Sequence, residues 1–206
     1  MTTPKLKLYG FKLSGHTHRA ELFLSILGLP FEKMEVDVLK GAQKAPEFLE
    51  KNPFGQIPVL EDGEITIPDS NAILVYLALK YDASERWYPR DPSSAARIQR
   101  WLSVAAGELQ RGPGAARLVV LLRAPFDHEQ AKSVARGLYD VVERQLASTP
   151  YLTGTAPTIA DLAPYSYTAV ASEGGIPLEP WPHVRAWLER IEKIEGFVPM
   201  QRSKGA

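Results

Sequence analysis

The sequence predicts two domains, the first α/β and the second all-helical. Three observations carry that expectation. In the first eighty residues strand-like alternation and helical stripes take turns, whereas beyond residue 94 only the helical period remains. Between the two lies Tyr88-Pro89-Arg90-Asp91-Pro92-Ser93-Ser94, a Pro- and Ser-rich stretch of the kind that joins domains. The boundaries drawn are 1–81 for the α/β domain, 82–94 for the linker and 95–206 for the helical domain.

Lys5-Leu6-Lys7-Leu8 alternates strictly, which sets two leucines on one face of a first strand. A loop from Gly10 to His16 follows. Ala20, Phe23, Leu24 and Leu27 then recur at i, i+3, i+4 and i+7, the stripe of a helix that Gly28 and Pro30 end. Alternation returns in Met34-Glu35-Val36-Asp37-Val38, so a parallel strand should close a right-handed βαβ unit. Ile57-Pro58-Val59-Leu60 and Ile65-Thr66-Ile67 flank Asp62-Gly63, a strong antiparallel hairpin signal. Pro68-Asp69-Ser70-Asn71 reads as a polar cap, with Ser70 the capping residue, for a helix through Ile73, Tyr76 and Leu77. The order βαβ-ββα is that of a thioredoxin-like domain.

In the second half one amphipathic helix is expected over 96–108, around Trp101, Leu102 and Ala105, with an interruption at Gly112-Pro113-Gly114. Further helices are expected over 134–146, 159–171 and 184–194. Thr158-Ile159-Ala160-Asp161 is a capping-box variant and reads as a folding signal. Trp101, Trp181 and Trp187 are expected to pack the helical core.

Composition narrows the function classes. The 24 Lys+Arg balance 24 Asp+Glu, which supplies no basic footprint for nucleic acid or for an anionic lipid surface. Residues 1–5 carry no apolar leader, and no apolar run reaches the ~20 residues that span a bilayer, so a cytoplasmic location is expected. Cysteine is absent, which excludes structural disulfides, cysteine-zinc sites and catalysis by a protein thiol. His16 and His18, two apart on a loop with no third partner in view, are a weak metal signal, and a metal is not expected.

That missing cysteine shapes the chemistry. Thioredoxin-like domains often act through a Cys-x-x-Cys pair at the start of the first helix, where the positive end of the macrodipole lowers a thiol pKa. Here the place holds Leu13-Ser14-Gly15-His16, so any reacting sulfur must arrive with the substrate. A free thiol of pKa ~8.5 is mostly protonated at neutral pH, and a hydroxyl donating to S⁻ stabilises the ionised form. Ser14 is placed for that task, although Ser-Gly also reads as a plain N-cap. Ile57-Pro58 opens a strand, where a cis bond would leave the Ile57 backbone to pair with an extended peptide. Orphan donors at the next helix start suit a carboxylate, and Asp69 beside them suits an α-ammonium, together a grip for an amino acid.

Jointly these stretches resemble the cytosolic glutathione transferases, and the resemblance spans the whole chain. Tyr9-Gly10-Phe11-Lys12-Leu13-Ser14 with Thr17 and Arg19 is similar to the opening of the serine classes, phi and theta among them, whose catalytic serine aligns with Ser14. The run from Lys40 to Leu49, followed by Asn52-Pro53-Phe54-Gly55-Gln56, looks like the phi-type segment. The resemblance implies that Lys44 meets the glycine carboxylate of glutathione, Gln56 and Ile57 its cysteinyl backbone, and Asp69 and Ser70 its γ-glutamyl end, with Pro58 also in the glutathione site. Two departures are Gln43, where phi members usually carry histidine, and Asp69, one methylene shorter than the usual glutamate. Tyr9 is a rival thiolate donor by analogy with the tyrosine classes, though the Arg-Gly-Arg-like loop of those classes is missing.

The resemblance further implies a homodimeric detoxifying transferase with glutathione as co-substrate and no metal. Its small-molecule electrophile would sit in an apolar pocket formed by Phe11, Leu13, Leu109 and Arg111. The alternatives are a glutathione-dependent disulfide reductase or peroxidase, and a non-catalytic interaction module of the same fold.

Overall fold

The computed structural model describes residues 6–203; expectations about residues 1–5, Lys5 among them, lie outside the described residues. The described chain divides into two compact units, one running to Ala83 and including 195–201, the other from Ser84 to Ile194 and including Arg202 and Ser203.

In the N-terminal unit the first alternation becomes β1 (Leu6–Gly10), with Leu6 and Leu8 buried and Lys7 and Tyr9 half-buried. Helix α1 (Gly15–Ile26) follows, then β2 (Phe31–Glu35), which pairs with β1 in parallel, Leu6 opposite Phe31. β2 starts three residues before the expected strand. The alternation at 34–38 spans the strand end, where the Val36 N–H still reaches the Gly10 carbonyl at 2.7 Å and buried Val36 packs with Phe48 and Val59. Two 3₁₀ turns at Val38–Lys40 and Ala42–Lys44 lead to the one-turn helix α2 (Pro46–Leu49).

β3 (Val59–Asp62) and β4 (Ile65–Pro68) form the hairpin, Asp62 opposite Ile65 across Gly63-Glu64, with Gly63 at φ 62° as such a tight turn requires. The sheet order is β2-β1-β3-β4. Cross-strand partners Leu8 and Leu60 share one face, Tyr9 and Val59 the other. Helix α3 (Ser70–Tyr81) packs against α1 and onto β3 and β4. Asp62 anchors it, since its Oδ2 accepts from Tyr76, Lys80 and Tyr81 at 2.6–2.7 Å.

The second unit is helical: α4 (Pro92–Ala106), α5 (Ala115–Leu122), α6 (His128–Ser148), α7 (Ile159–Ala169) and α8 (Pro182–Glu192). Asp91 caps α4 through the Ser94 N–H. The interruption expected at Gly112-Pro113-Gly114 does not occur. Gln110–Gly114 forms a π turn that runs straight into α5. Its glycines serve packing: a Cβ on Gly112 would lie 2.9 Å from the Ala135 N, so only glycine admits α6 this close. Arg117 of α5 and Glu173 form a buried ion pair at 2.7 Å.

The capping box forms as read, and it does more than cap. The Asp161 carboxylate takes the N–H of Thr158 at 2.9 Å, the N–H of Leu152 at 2.8 Å and the indole N–H of Trp187 at 3.0 Å. Trp101 and Trp181 are buried as expected, their indoles donating to the Leu152 carbonyl and to Asp140. Among the described residues no helix is long and apolar enough to cross a membrane.

Candidate active site

Helix α1 starts where the strand end and the helix press together. A Cβ on Gly10 would fall 2.2 Å from Thr17 Cγ2, and Thr17 Oγ1 accepts from the Phe11 N–H at 3.2 Å. The loop between is closed by the Ser14 N–H donating to the Phe11 carbonyl at 2.9 Å. Ser14 is the N-cap, extended at φ −83° and ψ 120°, with Oγ accepting from the Thr17 N–H at 3.3 Å. The N-cap reading of Ser14 is the one this geometry shows. A capping serine spends a lone pair, not its proton, and among the described residues this hydroxyl donates to none.

The start of α3 corrects one expectation. Asp69, not Ser70, is the N-cap, its Oδ1 accepting from the N–H groups of Asn71 and Ala72 at 2.8 and 2.9 Å. Asp69 stands at φ 75° and ψ 126°, a sparsely populated conformation for a residue with a side chain, and such strain gathers at ligand-binding sites. Ser70 is the first helical residue and 3% exposed. Its Oγ accepts from Arg19 Nη1 at 2.8 Å and lies 3.2 Å from His16 Nδ1. Arg19, 1% exposed, also donates to Asn71 Oδ1 at 2.6 Å. The first turns of α1 and α3 are thus tied together, which brings two positive helix ends to one corner.

The third component is the loop before β3. Buried Asn52 staples it, donating to the Gln56 carbonyl at 2.8 Å and accepting from the Phe54 N–H at 3.1 Å. Lys44 Nζ donates to the Phe54 carbonyl at 2.9 Å. Gly55, at φ 58°, is held so close to Lys44 that a Cβ would meet its Cδ at 2.7 Å. Lys44 and Gln56 are exposed, Ile57 half-buried and Pro58 buried, and the Ile57–Pro58 bond is cis. Among the described residues the backbone of Ile57 makes no hydrogen bond, so its N–H and carbonyl form an open edge.

Tyr9 sits elsewhere. It lies on the Val59 face of the sheet, its hydroxyl donating to Glu61 Oε2 at 2.9 Å beneath the Lys51 ammonium. Burial first, then the hydrogen bond and charge of Glu61, raise its pKa above that of an ordinary phenol.

The residues expected to meet an electrophile fall in both units. Phe11 and Leu13 are half-buried on the loop after β1, and Phe11 lines a cavity of about 160 Å³ with Thr17, His18, Met34 and Pro199. Leu109, just before the π turn, has no exposed surface. Arg111 is exposed, pairs with Glu108 at 3.2 Å, and lines a cavity of about 640 Å³ with Trp101, Val104, Leu138 and Val141. His16 and His18 are engaged with Ser70 and with the Val198 carbonyl, the latter at 2.9 Å, and burial chiefly depresses the basicity of His18. Among the described residues no cluster of His, Asp and Glu could hold a metal ion.

Two family models match the chain: glutathione S-transferase, N-terminal domain, over residues 4–79, and glutathione S-transferase, C-terminal domain, over 120–195. Glutathione S-transferase 3 of Zea mays is 38% identical, the alignment covering 93% of this chain and 91% of the relative. The chain belongs to the glutathione S-transferase family. A glutathione S-transferase structure from Pseudomonas fluorescens superposes with a TM-score of 0.90 at 34% identity, covering 96% of this chain and 99% of that one. A glutathione transferase homolog from Drosophila mojavensis, solved with bound glutathione, gives 0.83 at 28% identity, covering 92% of this chain and 88% of that one.

For a glutathione transferase, three side chains stand out that were given no role from sequence. Asn52 shapes the loop, and Arg19 and His16 join the two helix starts. A signal existed for the last two. His16 lies at i−4 from Ala20, and Arg19 at i−4 from Phe23, so both share the apolar stripe of α1, where a polar side chain must be anchored.

Proposed function

We propose that this glutathione transferase activates glutathione through Ser14, whose hydroxyl donates to the thiolate sulfur at the N-terminus of α1. The observation that carries the proposal is the unspent proton of that capping hydroxyl in a chain without cysteine. Hydrogen bonding to S⁻ and the positive helix end both favour the ionised thiol, each pKa unit corresponding to ~1.4 kcal/mol. The cysteinyl backbone of the tripeptide would pair with Gln56 and the open edge at Ile57, its glycine carboxylate would meet Lys44, and its γ-glutamyl end would meet Asp69 and Ser70. Asp69 suits the ammonium, and Ser70, backed by the buried Arg19 guanidinium, suits the carboxylate.

The sulfur then forms a bond to an electrophilic carbon. In a substitution the leaving group departs with the bonding electron pair; in an addition the carbanion takes a proton from solvent. The electrophile proposed is small and mostly apolar, and the assembly proposed is a cytoplasmic homodimer. Tyr9 is disfavoured as donor, because its hydroxyl is already given to Glu61 and its pKa is raised rather than lowered.

The test is a pair of variants assayed with glutathione and an aryl halide. Ser14→Ala should lower kcat about ten-fold or more, the loss of one charge-assisted hydrogen bond, and raise the apparent pKa of bound glutathione. Tyr9→Phe should do neither. The opposite pattern would move the role to Tyr9, and a chain that does not bind a glutathione column would overturn the whole reading.

A further inference from the structure

The contact between His16 and Ser70 has a chemical consequence for the ligand. The Ser70 hydroxyl offers one proton and two lone pairs, and the Arg19 guanidinium, which can only donate, occupies one lone pair at 2.8 Å. His16 Nδ1 stands 3.2 Å from the same oxygen, and its state decides where the serine proton goes. With a bare Nδ1, the serine donates inward to the imidazole. With a protonated Nδ1, the imidazole donates to the second lone pair, and the serine proton must point away from both neighbours.

Resting on the reading that Ser70 grips the γ-glutamyl carboxylate of glutathione, we infer that His16 is a positioning residue whose neutral ring carries its proton on Nε2 and whose protonation at Nδ1 turns the Ser70 hydroxyl outward, toward that carboxylate. Two effects then add. The ligand gains a donor, and the imidazolium adds positive charge at a corner that already holds the start of α3 and Arg19. The other charged groups there are Arg19, from the same helix, and Asp69, which caps α3; histidine is the side-chain type whose ordinary pKa falls between pH 5.5 and 7.5.

The experiment measures the Kd of S-methylglutathione by calorimetry from pH 5.5 to 7.5. This ligand has no thiol to ionise, and its carboxylates and amine do not titrate in the window. The wild type should bind roughly five-fold more tightly at pH 5.5 than at 7.5, the scale of one hydrogen bond gaining charge assistance. His16→Asn places an amide that does not titrate at the reach of Nδ1, so its Kd should be flat, and Ser70→Ala should bind weakly at every pH. Circular dichroism melts establish that each variant is folded. A wild-type Kd independent of pH, or a His16→Asn slope equal to the wild type's, overturns the inference while leaving the site reading intact. Undiminished binding by Ser70→Ala overturns the site reading itself.

Discussion

Replacing Asp161 by asparagine tests how much of the helical unit hangs on one carboxylate. The substitution is nearly isosteric. Oδ1 can keep the N–H of Leu152 at 2.8 Å and the indole of Trp187 at 3.0 Å, but the amide nitrogen then stands where Oδ2 took the Thr158 N–H at 2.9 Å. Two donors face each other in a site with no exposed surface. One lost hydrogen bond and one stranded buried donor cost about 1–3 kcal/mol, which for a chain of this length lowers Tm by roughly 2–12 °C. Burial raises the Asp161 carboxyl to about 6, against which its donors pull downward. A carboxyl raised above its unfolded value of ~3.9 binds its proton more tightly in the native state, so its contribution to stability is largest below ~4 and fades as pH rises through 6. Asparagine has no such contribution to lose. Urea denaturation at pH 5 and pH 7 should therefore find the wild type ahead of Asp161→Asn at both, by more at pH 5. Equal stability of the two proteins, or a gap that narrows toward acid, would refute the reasoning.

Two further expectations rest on single close contacts. Gly112→Ala would drive a methyl to 2.9 Å from the Ala135 N and 3.0 Å from its Cα, backbone that cannot rotate away, and should destabilise by about 1–3 kcal/mol in a urea melt. Asn52→Ala should leave the Gln56 carbonyl and the Phe54 N–H unmet and loosen the loop that presents Ile57. Steady-state kinetics should then show KM for glutathione rising several-fold with a smaller change in kcat, as expected when ground-state and transition-state binding fall together.

The fold was readable where periodicity and turn chemistry agree. Alternation at 6–8, the stripe of α1 and the Asp62-Gly63 turn name their elements because each depends on neighbours in sequence. The stretch 38–49 was not readable, since its two 3₁₀ turns and single α turn are too short to show a period. Helix α5 was hidden for the opposite reason. Gly112, Pro113 and Gly114 are local breakers, and the close approach of α6 overrides them by demanding a residue without a side chain. At the candidate site, Ser14, Ile57, Asp69 and Ser70 were visible from the chemistry their residue types can perform. The choice of cap was not, because Asp and Ser cap equally well and the backbone at Asp69 decided it.

On the proposed reading, that choice bears on how one small corner would treat two groups of a ligand. Ser14 and Asp69 both cap helices by accepting backbone N–H groups, yet what each has left over differs. A serine that has accepted retains a proton, and an aspartate that has accepted retains a negative charge. On the proposed reading the ligand brings a thiolate to one and an ammonium to the other, so each leftover matches the group it would meet. Exchanging the two, Ser14→Asp together with Asp69→Ser, would keep both caps and lose both matches. A carboxylate at position 14 would repel the sulfur, and a hydroxyl at position 69 would leave the ammonium without a counter-charge. The arrangement therefore depends on which capping residue stands where, a distinction that cap propensity alone does not make and that the ligand's chemistry does.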